Sequence, residues 1–488
     1  MLLFKRLFFI LFLFLFNFLS AQNYQAINGS TYAGSLAPSN NPASIIQVPY
    51  AWDLTLFSVQ LKQTTNAFTI HNYSLLSSPA NAEIVATNGT SKRFLFANQD
   101  MRLLNARINL NAKSAIAFGA NIRSYQYATT SENNWQDTSR SLADYMKINL
   151  DYLPMEGQSR GAAWAELYGT YAHTIIDDGY RLLDAGITIK VNRALAGEYA
   201  NASDLSYEPT GVSGPQAYLL TKGSLQYAYS SNIDNLDSNN LPSANRKAFM
   251  KTTMSSISAD IGLQYVLPSL EADDNSELDY RTKIGISIMD IGRSKFRHGL
   301  QSRSASGVLP GVTDSVLENK FSTIGSVEDF NDSLKSISKS FSQPGGQFNI
   351  YQPTRLIINV DQHIKNNFYL NAELTLPLLS LVPKKIYYIK DMNFVAITPR
   401  WETRTFGAYL PVLFNTRNQL WVGGAFKAGP VLFGSHNLAN LFSKNSAAKG
   451  GLYLAVTIRP SKDKDGNLFY SGSKQSGKSK RSSECPKF

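Results

Sequence analysis

Arg107, Arg123, Lys190, Lys283, Arg355 and Arg459 stand, with Asp184 and Asp361, at alternate positions of segments whose intervening residues are aliphatic. Asn105 and Asn109 share the face of Arg107, opposite Leu104, Ala106, Ile108 and Leu110. A charged group taken out of water is costly unless it is paired or hydrogen-bonded, so this face meets water or finds partners. Two chemistries fit. The row can line a mildly cationic pore for anionic solutes, or it can form an internal network of salt bridges and hydrogen bonds that holds a filled interior together.

Other reactive constellations are poorly supported. Gly472-Ser473-Lys474-Gln475-Ser476-Gly477-Lys478-Ser479 reproduces the spacing of a phosphate-binding loop. Such a loop needs a buried strand before it and a helix after it. Here the surroundings are Ser, Lys and Gly, and the chain ends nine residues later. No nucleotide is expected. His71, His173, His298, His363 and His436 are scattered, and none has a second ligand at helical spacing. No G-x-S-x-G elbow occurs. Cys485 lies in the terminal segment, where it reads as incidental. The chain is therefore expected to be no enzyme and to need no cofactor or metal.

The elements that must position the charged row are strands. Gly451 to Ile458 reads G-L-Y-L-A-V-T-I, and Leu183, Ala185, Ile187, Ile189 and Val191 alternate with Asp184, Gly186, Thr188, Lys190 and Asn192. Strand side chains have a period of two, so one face is aliphatic and the other small or polar. Mean hydropathy is −0.19, too low for a bundle of apolar helices. In lipid only helices and closed barrels satisfy their own backbone groups, so the pattern predicts an all-β transmembrane antiparallel barrel. Even strand counts are the rule. Strand-like segments, including 66–74, 217–230 and a short 431–435, give about 14 strands, with 16 as the alternative. In this count the long 126–162 and 291–351 stretches fall at opposite ends of the barrel, a conflict the sequence leaves open. Within the second stretch Ile324, Val327, Phe330, Leu334, Ile337 and Phe341 follow helical spacing, with Ser326 as cap and Asp329 three residues on. One loop helix is expected there, either a lid over the mouth or a helix packed on its own loop.

The termini complete the plan. Lys5 and Arg6 precede an apolar run from Leu7 to Leu19 and a small-residue site ending at Ala21, as in a secretory leader. Residues 1–21 are expected to be a cleaved signal peptide, 22–49 a non-strand N-terminal segment, 50–460 the barrel and 461–488 a disordered basic periplasmic tail. Of the net charge of +11, the leader and the tail carry a large part. Too little remains for the body to argue for nucleic acid.

Asn40-Asn41-Pro42-Ala43, closing the non-strand segment just before the first strand, resembles the start of FadL-like outer-membrane proteins. Ile397-Thr398-Pro399-Arg400-Trp401-Glu402, Phe406-Gly407-Ala408-Tyr409-Leu410-Pro411 and Lys427-Ala428-Gly429-Pro430 with Phe433-Gly434-Ser435-His436-Asn437 resemble a Bacteroidota family of exported barrels of unknown function. The resemblance implies a barrel in the cell outer membrane and an N-terminal segment folded into the lumen like a hatch, with Asn40, Asn41, Pro42 and Ala43 as its candidate residues. It implies no activity. The expected function is a pore or transporter for small, possibly hydrophobic solutes. The alternative is a non-transporting component of an envelope assembly. Outer-membrane lipid is the expected partner, with other envelope proteins possible. A continuous lumen favours the first reading and a solid one the second. The register also predicts that Ile187→Arg blocks insertion while its inward neighbour Thr188→Arg is better tolerated.

Overall fold

The computed structural model describes residues 25–460 apart from 75, 137–140, 212–216, 238–240, 270–279, 382–386 and 445–447. The leader, the tail with its phosphate-loop-like string, and Cys485 lie outside the described residues.

Fourteen antiparallel strands close into a barrel. They are β1 Trp52–Thr65, β2 Gly89–Asn111, β3 Ser114–Trp135, β4 Met155–Asp177, β5 Leu182–Pro209, β6 Ser255–Pro268, β7 Tyr280–Arg297, β8 Arg355–Lys365, β9 Phe368–Pro377 and β10 Phe394–Glu402. Then follow β11 (Phe406–Tyr409 and Val412–Asn415), β12 (Gln419–Val422 and Gly424–Ala428), β13 Val431–Ser435 and β14 (Lys449–Gly450 and Leu452–Ile458). Each pairs with the next, and β14 returns to β1 through Leu54↔Ile458 and Gln60↔Tyr453. The gap in β11 contains Pro411, which has no N–H to give a ladder. Its carbonyl instead accepts from the Gly423 amide in the facing gap of β12, at 2.7 Å.

Alternation sorts the residues as the period of two requires. Ile187, Ile189 and Val191 are 45%, 48% and 54% exposed, while Thr188 and Lys190 between them are buried. Leu104, Phe118, Ile286 and Ile397 continue the apolar outer band on other strands. A wall that is aliphatic outside and polar inside fits lipid around it.

Two strand-like segments lie outside this wall. Phe68–His71 pairs with Glu83–Ala86 in a loop hairpin. Tyr218–Tyr229 pairs with the upper part of β5 and with Arg303–Val308, extending a sheet beyond the barrel rim. In contrast, 431–435 is a full wall member. These changes bring six long connections to one end: 66–88, 136–154, 210–254, 298–354, 378–393 and 436–448. The opposite end carries turns such as Ala112-Lys113 and Asn366-Asn367. The parity conflict came from counting the sheet extension at 217–230 as a membrane strand; the loop hairpin precedes both stretches and shifts them together.

The expected single loop helix is one of several short ones. Among the described residues these are α1 Leu142–Ile148, α2 Pro242–Lys251, α3 Asp314–Phe321, α4 Val327–Lys335 and the single turn α5 Ala439–Phe442. The others are ten residues or shorter, too brief for helical spacing to stand out. α4 has the expected capping box between Ser326 and Asp329. It ends before Ile337, and Phe341 lies in the strand Ser338–Ser342. The apolar stripe still works as a unit: Leu334 and Ile337 pack with Met146, Tyr207, Leu220 and Phe321. α4 thus packs within the loop platform.

The lumen as candidate functional site

Residues 25–50 run inside the barrel as short 3₁₀ stretches, Gln25–Ile27, Thr31–Ser39 and Pro42–Ile45. Local chemistry shapes them. Ser30 Oγ accepts the Tyr32 amide at 3.0 Å, Gly34 takes φ +56°, and Asn41 Oδ1 accepts the Ala43 amide at 2.9 Å. Pro42 sits at the first helical position, where its missing N–H costs nothing. Ala26, Ser35, Ala43 and Ile45 are fully buried. Ile27, Ala33, Leu36 and Ile45 pack on small or aromatic inward residues of the wall, Ala115, Ala117, Ala172, Tyr453 and Ala455.

Side chains from most of the circumference hold this segment, and no strand ladder does. Glu373 Oε2 accepts from Asn28 at 2.8 Å and Asn40 at 3.1 Å. Asn40 also accepts from Ser287 at its carbonyl (2.6 Å) and from Asn359 at its side chain (2.7 Å). Ser30 donates to Glu402 at 2.7 Å, and the Ser35 amide to Asp53 at 2.5 Å. Arg102 donates to the Leu36 carbonyl at 3.0 Å. Asn41 Nδ2 donates to the Leu263 carbonyl of β6 at 2.9 Å. Beneath Asn41-Pro42-Ala43 three adjacent strands present glycine: Gly186, Gly262 and Gly285. A Cβ on Gly186 would lie 2.5 Å from the Ala43 nitrogen, and one on Gly285 2.9 Å from Asn41 Nδ2. A side chain at Gly262 would overlap the Asn41 oxygen.

The ten candidate lining residues fall into separate groups. Arg107 donates to the carbonyls of Ile45 and Tyr50, both at 2.6 Å, and to Asn109. Asn109 donates to the Tyr50 carbonyl at 3.3 Å, and the buried Asn105 turns back to the Leu103 carbonyl. Asp184 accepts from Thr174 at 2.6 Å and Gln47 at 3.1 Å. Lys283 donates to the Gly29 carbonyl at 2.8 Å and stands 3.6 Å from Asp361, which receives Arg400 at 2.7 Å. Arg459 donates to the Tyr32 carbonyl at 2.9 Å. Arg123, Lys190 and Arg355 converge on Asp290, at 2.5, 2.7 and 3.2 Å.

Asp290 and its companions Glu166, Asp260, Asp100 and Asp391 were not singled out from the sequence, nor were Arg102, Glu373, Arg400 and Glu402. Asp290 has φ +60° and sits where β7 slips register against β6, between Ile288 and Ile291. The sequence holds a trace of this: the outer row Ile284, Ile286, Ile288 resumes at Ile291, one residue out of phase. Arg400 and Glu402 follow the alternation of β10 and lie within the family-like block around Trp401.

Above the charged layer the lumen is filled again. Residues 387–393 fold inward from the loop end. Tyr351 and this stretch exchange backbone bonds at 2.9 and 3.1 Å, Ile389 is 1% exposed, and Asp391 accepts from Asn98 at 3.0 Å. Tyr387 stacks on Tyr199 at 4.2 Å. Between the two fillings a polar cavity of about 20 Å³ is lined by Ser39, Arg102, Arg123, Glu166, Lys190 and Asp290. That is room for a water molecule. Among the described residues no group of three His, Cys, Asp or Glu side chains is placed to hold a metal ion.

A closed antiparallel wall with a lipid-facing aliphatic band and a polar, filled interior defines a membrane β-barrel protein. The chain belongs to a family of unknown function, DUF5723, whose model matches residues 42–436. No curated protein matches it by sequence. Among solved structures it is similar to a Pseudomonas aeruginosa FadL homologue, with 12% identity, 90% of this chain and 98% of that one covered, and a TM-score of 0.41. It is also similar to the Ralstonia pickettii toluene transporter TbuX (10% identity, 86% and 92% covered, TM-score 0.36). A third likeness is to a deletion mutant of the monoaromatic hydrocarbon channel TodX (8% identity, 86% and 91% covered, TM-score 0.36).

Proposed function

We propose that the protein is an outer-membrane barrel that passes small solutes, described here in its closed form, with residues 25–50 as a hatch. The carrying observation is how this segment is attached. Side-chain hydrogen bonds, ion-dipole contacts and a bed of glycines hold it, so its departure breaks no strand pairing of the wall. The surface it would uncover carries Lys283, Arg102, Glu373 and Glu402 beside the small apolar patch of Ala115, Ala117 and Ala172, and these buried charges favour water-soluble over hydrophobic solutes. In the same reading the leader directs export, the long connections face outward, and the basic tail lies in the periplasm. Lipid is the constant partner, and no nucleotide or cofactor takes part.

A second reading has its own support. The lumen is filled from both ends, and a folded platform of short helices and strands stands above the rim. That combination suits a sealed barrel acting as scaffold in an envelope assembly. Conductance in planar bilayers separates the two. Removing residues 23–44 is expected to leave a folded barrel that conducts more than the full chain. Equal conductance would make the scaffold the better account.

A further inference from the structure

The outer face of the barrel carries an unmatched basic sector at its loop end. On β7 the outward row runs upward through Ile284, Ile286 and Ile291 and then becomes Arg293, Lys295 and Arg297, while Ser294 and Phe296 between them are buried. Two strands away β5 does the same, with Ile187, Ile189 and Val191 followed by Arg193. Arg193 ties the next connection to the wall, donating to Thr253 at 2.5 Å, to the Met250 carbonyl at 2.9 Å and to Ser255 at 3.1 Å. This anchors the end of α2, which brings exposed Arg246, Lys247 and Lys251 to the same stretch of rim.

Among the described residues none of these cations forms an ion pair. The nearby acidic residues are Asp234 and Asp237. Asp234 is engaged by the Tyr229 hydroxyl at 2.5 Å and the Leu300 amide at 2.7 Å. The opposite end of the same wall behaves differently. There Lys113 pairs with Asp177 at 3.4 Å and Arg181 with Asp178 at 2.8 Å. Directly below the basic sector the exposed aliphatic groups include Ile257 (69%) and Val191 (54%).

From this we infer that the rim formed by β5, β6, β7 and α2 binds the phosphate groups of an anionic lipid in the adjoining leaflet. Acyl chains of such a lipid run along Val191 and Ile257, and its phosphates sit among Arg293, Arg297 and the α2 lysines. The inference does not depend on whether the barrel transports anything. Each basic residue near a charged membrane surface is worth roughly a five-fold gain in affinity.

The test uses the full chain, folded in dodecylmaltoside, with bisphosphorylated lipid A as probe and native mass spectrometry as readout. Phosphatidylcholine serves as a lipid without net charge, and inorganic pyrophosphate as a free anion. Lipid A is expected to be retained in preference to both. The triple variant R293Q/R297Q/K247Q should weaken retention at least ~10-fold, while K113Q/R181Q at the other end leaves it unchanged. Heat-modifiable gel mobility reports folding. If the triple variant does not fold, R293Q and R297Q singly carry the test, each expected to lose a few-fold. Equal retention of phosphatidylcholine, tight binding of pyrophosphate alone, or full retention by the folded variants would overturn the proposal.

Discussion

Gly262 leaves its side-chain position to Asn41: a methyl group on the glycine would occupy the space of the Asn41 carboxamide oxygen. That oxygen also accepts the Ala43 amide, so the turn of the N-terminal segment and the bareness of β6 depend on each other. Gly262→Ala should therefore push Asn41-Pro42-Ala43 off the wall. The cost of such overpacking is about 1–3 kcal/mol, concentrated on residues 25–50. Proteolysis within that segment and single-channel conductance should both rise. Gly169→Ala is the control, since no atom lies within 4 Å of the added carbon. If the two variants behave alike, the glycine bed does not hold the segment.

Asp290 gathers Arg123, Lys190 and Arg355 in a site with almost no exposure. Asn tolerates a positive φ nearly as well as Asp, so Asp290→Asn removes charge without straining the bulge. Three cations then share Glu166, Asp100, Asp260 and Asp391. Removing one member of a buried ion network typically costs ~3–5 kcal/mol. A denaturant unfolding curve followed by the fluorescence of Trp164, which donates to Glu166 at 3.0 Å, should shift accordingly. A loss below ~1 kcal/mol would mean that water already solvates this layer.

The wall was legible because lipid imposes one rule on every strand, and residues such as Ile187 and Thr188 obey it locally. Segments 66–74 and 217–230 obey it too, since alternation reports one wet and one dry face and not the bilayer itself. Tyr218 and Leu220 are dry against the loop platform. The basic half of the lumen was readable because Arg and Lys interrupt aliphatic strands. The acidic half was harder: Asp290 is shifted by a bulge, and Glu373 declares its role only through Asn28 and Asn40, more than 300 positions away in sequence. The glycine bed was hidden for the same reason. Gly186, Gly262 and Gly285 meet only through the register of three strands.

Ile187→Arg places a charge on the lipid face, and near the bilayer midplane this costs ~2–4 kcal/mol. Its inward neighbour Thr188 is not the permissive site that alternation alone suggests. Thr188 is 1% exposed, shares a hydrogen bond with Thr170 at 2.8 Å and lines the small polar cavity with Arg123 and Lys190. Thr188→Arg would add a fifth cation to Arg102, Arg123, Lys190 and Arg355 where a single water fits. Both arginine variants should impair folding into liposomes, whereas Thr188→Val should lose only the hydrogen bond, about 1 kcal/mol. Normal folding of Ile187→Arg would sink the assignment of that face to lipid.

The cap of α4 gives a prediction outside the membrane. Ser326 Oγ accepts the Asp329 amide at 3.0 Å, while the Asp329 carboxylate accepts the amides of Ser326 at 3.0 Å and Gly325 at 3.2 Å. The Ser326 side chain foremost, then the Gly325 and Ser326 amides, hold the Asp329 carboxyl below the usual carboxylate range. A depressed folded value stabilises the helix above the unfolded pKa, and this contribution disappears as pH falls through the folded value. Amide protection over 327–335, taken relative to intrinsic exchange, should therefore hold through neutral and mildly acidic pH and fall only below the ordinary carboxylate range. Asp329→Asn should remove that acid dependence. Ser326→Ala should cost about 1 kcal/mol at neutral pH and loosen Leu334 from Phe321 in the platform. A loss of protection that begins near neutral pH, or that persists in Asp329→Asn, would assign the effect to another group.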